Sequence, residues 1–417
     1  MLGTNLCCHS RWSSRMSEVN SPFTPGSPVP LELFVGRSEQ IAQVMRHVRQ
    51  AVSGKQENVF LTGDRGIGKS SFASFLRHLA TRDHNMLGAH VFLGRVSTLE
   101  EMVRHTLEEI LKETREQPWF DQLSAYFGDH VRQLGMFGVT VTFDPPERDL
   151  TELVRKFPEV LGNVVAQIAD EKAGLFIILD DMNGLAESIE FANWYKSLID
   201  EIATQYPQFP VLIMLIGLPE KRDSLASLQP SLLRVFRVCE IERLSSDEVR
   251  EFFANAFAGV DREVHDDAFE VLVRYSSGIP FLMHEIGDAT FWLDEDDVID
   301  KKDAFNGVIE AAENVGTKYL DPNVYRAIRS PRYRSIIRKI VVERPGGRSF
   351  SRSEVKSRLD PDETRVFDNL LRKLRQMDIV ERDLEGGAGA YLFANQMYPI
   401  YLWMESLQAG VARSLDD

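Results

Sequence analysis

Residues 63–70 read GDRGIGKS and fit the pattern G-x-x-x-x-G-K-[ST], with Gly63, Gly68, Lys69 and Ser70 at its fixed positions. Few eight-residue stretches constrain a fold as tightly. Glycines let the backbone wrap an anion with no Cβ in the way. The N–H groups of Asp64, Arg65, Gly66, Ile67 and Gly68, and a helix starting near Ser70 and Ser71, then face that anion. Lys69 adds a point charge for β- and γ-phosphates, and Ser70 offers a hydroxyl to Mg2+. The alternative is a glycine-rich turn with an incidental lysine.

The flanking residues supply the context this chemistry needs. NVFLT (58–62) is a strand candidate that leads into the loop. SSFASFLRHLA places Phe72, Phe75, Leu76 and Leu79 on one helical face. Strand, glycine-rich turn and helix predict an α/β fold, a parallel sheet flanked by helices. The longest apolar stretches, GLFIIL and VLIMLIG, are strand-length and suit strands buried on both faces. No apolar run reaches the roughly 18 residues of a membrane span.

A metal bound to phosphates needs an acid at the end of a second buried strand. GLFIILDDMNG (174–184) places Asp180 there as the metal residue, and Asp181 next to it to orient an attacking water. The alternative is a strand that ends in two solvated aspartates. VLIMLIG (211–217) ends at Ile216-Gly217, with no polar side chain to sense a γ-phosphate.

FVGRSEQI (34–41) adds a resemblance. Phe34-Val35-Gly36-Arg37 resembles the box that opens the ATPase module of AAA+ proteins and of the related STAND NTPases. Those groups include the origin-recognition ATPases and a family of archaeal and bacterial ATPases. The box lies over adenine and ribose there, which implies ATP, with Val35, Gly36 and Arg37 as nucleotide-binding residues. YSSGIPFLMHEIG (275–287) is similar to the G-x-P element of the helical lid in those families, through Gly278 and Pro280. The resemblance implies that this turn reports on the bound nucleotide. His284, one helical turn on, is either a packed residue or a phosphate neighbour.

PSLLRVFRVCEIERLSSDEV (230–249) resembles the segment that carries an arginine finger, with Arg234 and Arg237 as candidates. A finger acts on a neighbour's ATP, which implies a head-to-tail homo-oligomer on ATP binding. Ordinary surface arginines are the equal alternative. Two departures stand out: Asp181 where active AAA+ machines usually carry Glu, and the apolar end of 211–217. Both are more typical of STAND-type switches and imply slow turnover.

Residues 1–29 read as a disordered leader, rich in Ser, Pro and Asn, with Met16 as a second possible start. The ATPase core is expected over 30–243 and the helical lid over 244–318. A winged-helix domain is expected over 325–410, from three helix candidates followed by DIVERD, EGGAGA and YLFAN as a hairpin. Within these, a helix is expected to be capped at Ser246, GVTVTF (138–143) to extend the sheet, and DEDDVID (294–300) to form a solvated helix start. The three cysteines, Cys7, Cys8 and Cys239, have neither disulfide nor metal spacing, so a cytoplasmic setting is expected.

The net charge of −15 disfavours non-specific nucleic-acid binding, yet residues 326–375 hold 15 Lys/Arg against 6 Asp/Glu. That surplus is either a footprint for double-stranded DNA or a face that docks on the acidic remainder of the chain. Two functions follow. One is an ATP- and Mg2+-dependent assembly switch whose output lies in a separate protein partner. The other is a DNA-binding ATPase of origin-recognition or transposition-regulator type. A metabolic kinase is disfavoured, because no substrate lid of that kind is evident.

Overall fold

A computed structural model describes residues 20–402 apart from 28, 65, 136–138, 317–329, 342–348, 378, 384–385, 395–397 and 400. Of residues 129, 132–135, 139 and 140 it describes the backbone. Cys7, Cys8, Met16 and the loop residue Arg65 lie outside the described residues. The chain divides into two compact units, Gly36–Glu242 and a second that joins the residues up to Val35 with those from Arg243 onward.

The Gly36–Glu242 unit contains β1 (Glu57–Thr62), β2 (Met86–Phe92), β3 (Val131–Gly135), β4 (Val139–Phe143), β5 (Gly174–Asp180), β6 (Val211–Gly217) and β7 (Arg237–Glu240). Five of these form one parallel sheet in the order β2-β5-β6-β1-β7. Every residue of β5 and β6 is buried, which is why both read as unbroken apolar runs. Side-chain caps set the flanking helices: Thr98 accepts from Glu101 N–H at the start of Leu99–Thr114, and Ser188 accepts from Phe191 N–H at the start of Ile189–Gln205. Because β6 separates β1 from β5, the loop strand and the acidic strand are not neighbours, yet both end at the same edge of the sheet.

The expected sheet extension at 138–143 is corrected. β3 and β4 pair with each other as an antiparallel hairpin, and Val141 and Phe143 are buried in the apolar cluster that includes helix Leu99–Thr114. Local pairing satisfies the strand's backbone, and its alternating side chains cover a helix instead of lengthening the sheet.

In the other unit, helices Ser246–Ala258, Asp266–Ser276, Pro280–Leu293 and Lys301–Val315 pack with the short pair β8 (Glu263–Val264) and β9 (Val298–Ile299). Helices Pro331–Val341, Arg352–Lys356 and Pro361–Gln376 follow, with β10 (Ser349–Ser351), β11 (Val380–Arg382) and β12 (Ala390–Phe393) in a sheet of order β10-β12-β11. One apolar cluster runs through the whole unit. Phe367, Leu370, Leu371 and Leu374 are buried on helix Pro361–Gln376, as their spacing predicts.

Four expectations in this unit change. The cap is Ser245 and not Ser246: its hydroxyl accepts from Glu248 N–H and the Glu248 carboxylate accepts from Ser245 N–H. The second C-terminal helix candidate, SRSEVKSRL (351–359), is helical only over Arg352–Lys356, because Ser351 pairs with β12 and the chain turns from Ser357. The 294–300 run is a solvated helix start only in part: Glu295, Asp296 and Asp297 are exposed, but the run also holds a buried acid and a short strand. Asp294 is buried in an ion pair with Arg262, Val298–Ile299 form β9, and Asp300 caps helix Lys301–Val315. Finally, the leader does not run to residue 29 without structure. Phe23 is 4% exposed, its ring 5.1 Å from that of Phe257, and Gly287 has no Cβ where one would lie 2.3 Å from the Phe23 ring. Among the described residues, no helix is long and apolar enough to cross a membrane.

Candidate nucleotide-binding site

β1 delivers the chain into the loop at Gly63, whose φ is +155°. A Cβ there would lie 2.5 Å from the carbonyl oxygen of Ile241, so only glycine fits. Ile241 N–H donates to the Thr62 carbonyl at 2.9 Å, which fixes the end of β1 under the loop. Gly66 and Gly68 also have positive φ. Gly68 is the N-cap of helix Lys69–His84 and brings no side chain to satisfy the first N–H groups, so an anion can take that role.

Lys69 Nζ donates to the carbonyls of Gly63 at 2.7 Å and Asp64 at 2.8 Å, folded across the loop it serves. Ser70 and Ser71 are half-buried in the first turn of the helix, while Asp64 and Gly66 are exposed and Ile67 is buried beneath them. Arg37, in the left-handed region at φ +59°, is buried, donates through Nη2 to the Ile67 carbonyl and lies 5.7 Å over the Phe72 ring. The arginine of the FVGR box therefore braces the loop, and Gly36 just before it turns with positive φ. Val35 belongs to the apolar cluster of the other unit. Pro280 opens helix Pro280–Leu293 there, after a turn in which the Gly278 carbonyl accepts from Leu244 N–H at 2.9 Å.

Asp180 is the last residue of β5 and is buried. Its Oδ2 accepts from Nε2 of His90 on β2 at 2.9 Å. Asp181 follows, exposed and in the left-handed region at φ +57°. Its carboxylate accepts from Asn183 Nδ2 and overhangs Gly94, where a Cβ would come within 2.8 Å of Oδ2. His90, Gly94 and Asn183 escape the sequence reading. Strand register brings His90 to Asp180, and no spacing in the chain records that register. β6 ends in the buried pair Ile216-Gly217 with no polar side chain, as expected.

Arg234, in the short helix Leu232–Val235, and Arg237, at the start of β7, are both exposed. Arg237 lines a shallow pocket with Gln43, His47 and Glu57, at the start of β1 and so at the strand end away from the loop. His284 is a packed residue: Nδ1 accepts from Thr24 N–H at 3.0 Å, and the ring stands edge-on to Phe23 and Phe252. Ser70 and Asp180 carry hard oxygens of the kind that suit Mg2+, and would hold it, directly or through its water shell, if the loop binds a Mg·nucleotide.

A glycine-rich loop between a central parallel strand and a helix, with an acid closing a strand two places away, defines a P-loop ATPase fold. Residues 33–204 match the family model described as the AAA ATPase domain. The fold is similar to that of the Walker-type ATPase of Pyrococcus abyssi, at 17% identity and TM-score 0.50 over 88% of this chain and 96% of that one. It is also similar to the ORC2 protein of Aeropyrum pernix in ADPNP and ADP complexes, at 14% identity and TM-score 0.55 over 94% and 98%. An uncharacterized HTH-type transcriptional regulator of Methanocaldococcus jannaschii is 22% identical over 293 residues. That match covers 64% of this chain and 66% of the relative, just short of two thirds of its length.

Proposed function

We propose that this chain binds ATP, hydrolyses it slowly and uses it as an assembly switch. The loop carries the reading: a Gly63 that only glycine can be, a bare helix start at Gly68, and Lys69 folded onto the loop's own Gly63 and Asp64 carbonyls. In this reading residues 63–71 hold the phosphates and Ser70 and Asp180 hold Mg2+. When bound, Mg2+ neutralises charge on the β- and γ-phosphates. Asp181 orients the water. Its carboxylate is one methylene shorter than that of Glu and is engaged by Asn183, which supports slow turnover. Arg234 and Arg237, both exposed, suit a finger offered to a neighbour, hence a homo-oligomer. A separate protein partner then receives the signal. Sedimentation velocity tests this. A larger species is expected with a non-hydrolysable ATP analogue and not with ADP, and it should be lost in Lys69→Ala. A monomer under both nucleotides sinks the switch.

A second reading rests on a different observation. Arg352, Arg372, Arg375 and Arg382, with Asp368 and Asp383, line a groove between helix Pro361–Gln376 and the β11–β12 hairpin. We read residues 331–402 as a winged helix, and this groove supports double-stranded DNA as its ligand. The chain would then be a DNA-binding ATPase that positions partners on the duplex. Salt-sensitive duplex binding is the measurement that separates it from a pure switch.

A further inference from the structure

Asp180 is more constrained than the end of a strand requires. A terminal carboxylate can rotate, and a metal site needs it held in one orientation. His90 is placed to do this. It stands on the neighbouring strand β2, opposite Ile178, while Phe92 stands opposite Asp180, so the ring reaches diagonally toward the strand end. Its Nε2 lies 2.9 Å from Asp180 Oδ2, and the two side chains are 7% and 4% exposed. A carboxylate can only accept, so Nε2 carries the hydrogen. The ring is itself fixed by stacking on Phe92, with centroids 4.4 Å apart and planes 20° from parallel.

We propose that His90 is the positioning residue for the metal-side carboxylate. It ties down Oδ2 and leaves Oδ1 as the oxygen available to the metal's hydration shell. The residue type fits this role. A buried carboxylate needs a hydrogen-bond donor. A lysine or arginine would supply one only by setting a permanent cation against Mg2+, whereas imidazole supplies a single directed N–H. Partners that hold metal ligands in place in this way typically alter metal affinity by about 10–100-fold when removed. The inference rests on the proposed reading of the loop as a Mg·nucleotide site.

The test uses the full chain with ADP and Mn2+ as the metal probe, free Mn2+ being counted by electron paramagnetic resonance. Affinity for a fluorescent ADP without metal is measured alongside. His90→Phe keeps the stacking and removes the N–H, and it should weaken Mn2+ binding by about tenfold or more. Metal-free ADP affinity should stay at the wild-type value. His90→Gln, whose amide restores a donor, should recover most of the loss. If His90→Phe does not fold, His90→Asn, too short to reach Oδ2, carries the same expectation. Unchanged Mn2+ affinity in the donor-less variant overturns the role, as does a His90→Gln no better than His90→Phe. A wild-type chain that binds no ADP at all instead overturns the nucleotide reading beneath it.

Discussion

His284 separates two fates of a histidine beside a lid motif. It is 3% exposed, and Nδ1 already accepts from Thr24 N–H, so the ring must be neutral there. Burial pushes its pKa from 6.5 down to about 4. The unfolded chain therefore binds the extra proton between those two values. Stability is whole above pH 6.5 and is lost as pH falls toward about 4. The gap is worth about 3 kcal/mol at most. His284→Gln keeps an acceptor for Thr24 and cannot titrate. Urea unfolding between pH 7 and 4.5 should show wild type losing more stability than the variant by up to that amount, and parallel curves would count against this account. At this scale the loop was legible, because Gly63, Gly68 and Lys69 are contiguous and carry their spacing with them. Asp180 was legible as the end of an apolar run. His90 and Asn183 were not, since a hydrogen bond across strands or around a left-handed turn leaves no trace in spacing.

At the scale of elements, buried strands and amphipathic helices announce themselves, and single docked residues do not. β5 and β6 were read correctly from unbroken apolar runs, and helix Pro361–Gln376 from its 3–4 spacing. The segment around Phe23 was read as leader because one aromatic among Ser, Pro and Asn has no period. Its structure comes from outside: a slot formed by Phe252, Phe253 and Phe257, opened by the missing side chain of Gly287. The acidic run at 294–300 is legible in its exposed acids and its helix cap, whereas the burial of Asp294 next to Arg262 is invisible in composition. Phe23→Ala empties that slot and should lower stability by about 3 kcal/mol, with Phe23→Leu losing about 1 kcal/mol. The denaturation midpoint reads both. The same alanine change should expose residues 20–27 to proteolysis under native conditions. A midpoint unmoved by Phe23→Ala would mean that the segment adds nothing to the unit it docks in.

At the scale of the whole molecule, the question is what the basic C-terminal region does in a chain of net charge −15. Much of that charge is spent internally. Glu354, Asp362, Glu363 and Asp368 are paired with Arg358, Arg332 and Arg365, Lys339, and Arg352 and Lys356 respectively, while Asp360 caps a helix. Arg372, Arg375 and Arg382 line the groove beside the hairpin, and Arg372 and Arg375 are exposed. Each phosphate contact contributes about 0.9 to the slope of log affinity against log salt, so Arg372→Glu with Arg375→Glu should flatten that slope by about 2. Fluorescence anisotropy on a short duplex across a salt series measures it, with ATP present. If the surplus instead docks on acidic residues of the same chain, the double reversal should lower the unfolding midpoint, and wild type should show no duplex binding even at low salt. The two readings therefore move different observables. A flattened slope at unchanged stability assigns the groove to DNA, and a lost midpoint without duplex binding assigns it to the chain itself.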